Sequence, residues 1–119
     1  MKIPGPDHPI TIESSPKRVR VSFNGRVVAN TARALILREA SLPPVYYIPR
    51  ADADMALFER TAHGTHCPYK GDAAYYSLAV DGRASENAVW TYETPYPAVA
   101  KIKDHLAFYP NRVDSIDIA

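Results

Sequence analysis

The 119-residue sequence predicts a mainly β fold: a β-rich α+β domain built as a small barrel- or sandwich-like antiparallel sheet with one or two short helices. Three observations lead there. Eleven prolines are spread along the chain, and each removes a backbone donor and biases its predecessor toward extended geometry, which excludes long helices. Short runs of β-branched and aromatic residues recur between turn residues, the clearest alternating apolar with polar. The length suits one domain able to bury a core without disulfides or a structural metal.

The elements follow in order. Residues 1–16 hold Pro4, Pro6, Pro9 and Pro16 and read as an extended N-terminal arm, ahead of a single β-rich domain at 17–119. Val19, Val21 and Phe23 alternate with polar residues, Asn24-Gly25 follows, and Val27-Val28-Ala29 resumes the apolar run. Asn-Gly suits a type I′ turn, which needs positive φ twice, so a hairpin is expected over 18–30. Ala34 to Glu39 reads as a helical turn or a strand. Leu42-Pro43-Pro44 and the aromatic run Val45-Tyr46-Tyr47-Ile48 favour two strands. Asp52 to Phe58 suits a helix of one or two turns started by aspartate.

Ala74–Val80 and Ala88–Glu93 flank Asp81–Asn87 and predict a second hairpin with a longer loop. Val99, Ile102, Lys103 and Leu106 have the spacing of a short helix, and Phe108-Tyr109 and Val113–Ile118 supply closing strands. The chain has no internal repeat and no low-complexity tract.

With 14 basic and 13 acidic residues the net charge is +1, so no global field draws in nucleic acid or an anionic membrane. Lys17-Arg18-Val19-Arg20 alternates with apolar residues and reads as the solvent face of a strand. No segment approaches the roughly 20 apolar residues of a membrane helix. Met1–Pro6 lacks the apolar core of a signal peptide, and the single cysteine forms no internal disulfide, so the expected location is cytoplasmic. The expected partner is a small molecule, with neither nucleic acid nor membrane. No cofactor or oligomeric state follows from the sequence.

Chemistry concentrates in His66-Cys67-Pro68-Tyr69-Lys70-Gly71. Cys67 and Lys70 are the catalytic candidates: Lys70, or His63 and His66, would stabilise a Cys67 thiolate or take its proton. A lone cysteine before proline also reads as a small packed residue. His63, His66 and Cys67 are zinc-type donors, but a fourth is missing locally and no metal is assigned. Lys70-Gly71 offers an ammonium and an open amide to an anion, without the spacing of a P-loop. Asp52-Ala53-Asp54 has the spacing of a magnesium-holding pair, yet stands where aspartate caps a helix.

The eight tyrosines and one tryptophan supply pocket walls or core. Alternation sends one of Tyr46/Tyr47 and one of Tyr75/Tyr76 inward, and gives Trp90 and Tyr92 one face. The candidate ligand-binding set is therefore Tyr47, His66, Cys67, Lys70, Trp90 and Tyr92, with Glu39 and Arg33 adding charge from the strand before the Pro-Pro turn.

Arg26–Thr31, Val45–Pro49, Thr65-His66-Cys67-Pro68-Tyr69-Lys70-Gly71, Ala74-Tyr75-Tyr76, Trp90-Thr91-Tyr92-Glu93 and Ala107-Phe108-Tyr109-Pro110 together closely resemble the family called domain of unknown function 427, from about residue 17 to 118. The resemblance implies a small bacterial-type cytosolic domain, mainly β, with no established activity and a nucleotidyltransferase-like label. The leading expectation is a domain binding a small, anionic or nucleotide-like molecule in an aromatic-lined pocket. Its alternatives are an enzyme, through magnesium or Cys67, and a protein-interaction module using strand edges or the arm.

Overall fold

The computed structural model describes residues 1–119 and contains ten strands: β1 (Ile10–Ser14), β2 (Val19–Phe23), β3 (Arg26–Thr31), β4 (Leu35–Glu39), β5 (Val45–Pro49), β6 (Phe58–Cys67), β7 (Gly71–Val80), β8 (Arg83–Tyr92), β9 (His105–Phe108) and β10 (Ser115–Ile118). Seven form one sheet in the order β1-β4-β5-β9-β8-β7-β6, and β10-β2-β3 form a second. All neighbours run antiparallel. The fold is mainly β, as expected.

The first hairpin is β2–β3, closed by Asn24 and Gly25 at φ 49° and 78°, the two positive values a type I′ turn demands. The second is β7–β8, and here the loop expected over 81–87 is instead a two-residue turn. Asp81 and Gly82 take φ 49° and 82°, and β8 starts at Arg83. A bulge between Tyr76 and Leu78 and a positive φ at Asn87 absorb the register change, which hides the strand's alternation from sequence reading.

The helices expected at 52–58 and 99–106 are 3-10 turns: Arg50–Asp52, Met55–Leu57 and Pro97–Ile102, with Leu106 in β9. Proline and strand residues crowd these segments, too short to nucleate an α-helix. Strand β6 carries no apolar alternation because it is the sheet's outer edge and mostly exposed. The second half of the N-terminal arm is strand β1, paired with β4 from Ile10↔Glu39 to Ser14↔Leu35.

Strand alternation divides the core. Val19, Val21, Phe23, Ile48, Leu78, Val89 and Leu106 pack between the sheets. Leu37, Tyr47, Tyr75, Tyr92, Val99 and Ile102 pack on the large sheet's other face. No helix is long and apolar enough to cross a membrane.

The large sheet is split at one seam. β5 and β9 pair only at Ile48↔Leu106 and Pro49↔His105. In the same register Pro44 would face Pro110, and neither ring nitrogen can donate, so the ladder has no continuation beyond Tyr46 and Phe108.

Candidate functional site

The residues singled out from the sequence fall into separate places. Lys70 lies in the turn between β6 and β7, followed by Gly71 at φ 108°. A Cβ there would meet the Thr94 carbonyl oxygen at 3.4 Å, an ordinary contact, so it is the positive φ that calls for glycine. Lys70 Nζ donates to Glu39 Oε1 at 2.5 Å, and His8 Nε2 lies 2.7 Å from Glu39 Oε2. The Lys70 and Glu39 side chains are only 13% and 11% exposed, so this pair is largely withdrawn from water. Burial pushes the Glu39 carboxyl up, but hydrogen bonds from Lys70 and His8 outweigh it and hold the group below the usual glutamate range.

The N-terminal segment closes over this cluster. His8 stacks on Tyr69 with ring centroids 4.0 Å apart, and the Lys2 N–H donates to the Pro68 carbonyl at 2.7 Å. Lys70 is thus held by Glu39 under a cover, in contrast to the open anion ligand that its sequence context suggested.

Cys67 ends β6 half-buried, with its thiol free. The bases expected to serve it point elsewhere. His66 Nδ1 lies 2.7 Å from Asp72 Oδ1 on the exposed edge, and His63 packs edge-on against Tyr75 at 4.5 Å. No three His, Cys, Asp or Glu side chains gather as a metal site.

Arg33 does not join Glu39. It precedes β4, and Glu39 ends it, six residues or about 20 Å further along an extended strand. Arg33 pairs with Asp52 at 3.1 Å, and Thr31 Oγ1 donates to the same carboxylate at 2.6 Å. These two contacts, Thr31 first, hold the Asp52 carboxyl below its ordinary range. Asp54 takes a different cation, Arg26 at 3.7 Å, so the Asp-x-Asp carboxylates are separately occupied.

The expected aromatic wall is only partly a wall. Tyr47 and Tyr92 are core residues, 1% and 5% exposed, and burial pushes both phenols well above the usual tyrosine range. Trp90 Nε1 donates to the Tyr47 hydroxyl at 3.3 Å. Trp90 itself is half-buried and lies 4.6 Å from Tyr109. Burial and a 3.2 Å hydrogen bond with Tyr75 push Tyr109 up to about 12.

Trp90 and Tyr109 border a groove of about 1150 Å³ at the parted seam of β5 and β9. Its walls are Leu42-Pro43-Pro44-Val45-Tyr46 on one side and Phe108-Tyr109-Pro110 on the other, with Ile116 and Ile118 of β10 beside them. Of the eight candidate residues only Trp90 reaches it. Tyr46, Phe108 and Tyr109 line it without having been singled out from the sequence as site residues; the available signal was Pro44 and Pro110, one in each wall.

With this geometry in view, a family model described as Domain of unknown function (DUF427) matches residues 11–118. The chain belongs to this family. The model's short label refers to nucleotidyl transfer. The match to DUF427 takes in both sheets, the Glu39–Lys70 pair and the groove, and begins after His8. No curated protein matches the chain.

Proposed function

We propose that this DUF427 domain binds a small, largely apolar molecule in the groove between β5, β9 and β10, packed against Trp90 and Tyr46. The groove carries the reading: about 1150 Å³ of concave space walled by apolar and aromatic side chains, room enough for a small ligand. Asp114 is the only charged residue lining it, already held by the Asn24 N–H at 2.6 Å and Arg83 at 3.2 Å. The ligand is accordingly neutral and apolar in its body. The anionic or nucleotide-like molecule expected from Lys70 gains no support, because no cation lines the groove and Glu39 occupies the Lys70 ammonium. Nor do the occupied aspartates and unassisted thiol favour nucleotidyl transfer or cysteine chemistry.

The test uses Nile red, a neutral apolar fluorophore, and the emission of Trp90, the chain's one tryptophan. The expected result is saturable binding at one site with quenching of Trp90, weakened at least about tenfold in Trp90→Ala and Tyr46→Ala but not in Arg33→Ala. Unsaturable binding, or equal binding by all three variants, would overturn the proposal.

A further inference from the structure

We propose that the groove's ligand is a short extended peptide held by main-chain hydrogen bonds to Tyr46 on one wall and Phe108 on the other, an inference that rests on the groove being a binding site. In an antiparallel strand the N–H and C=O of successive residues point to alternate sides. The Tyr109 N–H donates to the Ala88 carbonyl at 3.0 Å, which aims Tyr109 at β8 and therefore Phe108 and Leu106 at β5. Leu106 meets Ile48 there. Two residues from Ile48, Tyr46 aims its backbone at β9, while Val45 and Tyr47 serve the ladder to β4.

Tyr46 and Phe108 would form the next pair in register, and the pairing stops before them. By this alternation their main-chain groups are directed toward each other's strand, and neither residue's main chain takes part in the turn, loop or side-chain hydrogen bonds of the chain. A ligand strand with complementary N–H and C=O groups would continue the ladder that stops at Ile48 and Leu106.

The same geometry sets the ligand's chemistry. One residue of an extended peptide presents its N–H and C=O to one wall, and the next residue presents its own to the other. Two consecutive residues therefore satisfy both walls. Pro44 and Pro110 lie beyond, without N–H groups, so a longer strand gains no further ladder from them. The apolar lining calls for apolar side chains, and the absence of a lining cation calls for neutral ends.

The test titrates the intact protein with the capped dipeptide acetyl-Val-Leu-amide and with its analogue N-methylated at both residues. The unmethylated probe is expected to displace Nile red and move the Tyr46 and Phe108 amide protons downfield in nuclear magnetic resonance spectra. The methylated analogue, stripped of those donors, should compete at least about tenfold more weakly. If Nile red binds but the dipeptide neither displaces it nor shifts those amides, or if methylation changes nothing, the peptide inference falls and the groove reading stands. If Nile red shows no saturable binding, both fall.

Discussion

The Glu39–Lys70–His8 cluster and the β5–β9 groove lie at two ends of the same polarity scale, and the protein treats them in opposite ways. In the cluster each charge meets a partner within 2.7 Å, and the N-terminal segment covers the assembly. In the groove the walls are apolar, and the ladder between β5 and β9 stops at Ile48 and Leu106, short of Tyr46 and Phe108. The contrast teaches that the side chains with the most recognisable chemistry are paired with one another, while the opening lies where strand pairing is interrupted.

Removing Lys70 is the strongest way to break this contrast. Lys70→Ala leaves a largely buried carboxylate with His8 alone and should lower stability by about 2 kcal/mol, below the 3–5 kcal/mol of a fully enclosed pair because some water remains. Chemical denaturation measures this, and Lys70→Ala/Glu39→Gln should recover part of the loss. Glu39 titrates below its ordinary value in the folded protein, so its stabilisation is complete above the ordinary glutamate range and fades as pH falls through the depressed value. Lys70→Ala should flatten that acid limb; an unchanged pH profile would mean that Glu39 is not held by the pair.

On the groove side, Trp90→Ala should weaken Nile red binding at least tenfold, or about 1.4 kcal/mol, with a smaller effect on the acid limb than Lys70→Ala. A mutual effect, with Lys70→Ala also abolishing dye binding in folded protein, would show the two regions to be one site. Tyr47→Phe removes the acceptor of the Trp90 indole N–H and should cost about 1 kcal/mol, read by denaturation and by a change in Trp90 emission. Arg33→Ala breaks a pair whose guanidinium is 65% exposed, so about 0.5 kcal/mol is expected and no change in dye binding. A larger loss there would return Arg33 to the functional candidates.

Much of the architecture was legible because local chemistry dictates it. Asn24-Gly25 demanded a tight hairpin, and the alternation of Val19, Val21 and Phe23 marked a face that is now core. Strand β6 was illegible because an exposed edge needs no apolar period. The Asp81–Asn87 segment misled because its polar residues continue a strand whose bulge breaks the alternation. At the site, Glu39 and Lys70 were both named, but they meet across 31 positions of chain, and their pairing turns two ligand candidates into one internal ion pair. His8 joins them from an arm whose contacts only folding reveals.

The sequence by itself determined the mainly β class, the first hairpin and the exclusion of long helices, since each depends on propensities acting over a few residues. Tertiary structure alone decided that Tyr47 and Tyr92 are core, that Arg33 belongs with Asp52, and that β5 and β9 part to leave a groove. Those outcomes depend on register between distant strands. Pro44 and Pro110 sit 66 positions apart by number, and only when pairing at Ile48 and Leu106 aligns them does the lack of an N–H in both bar the ladder from running on past Tyr46 and Phe108.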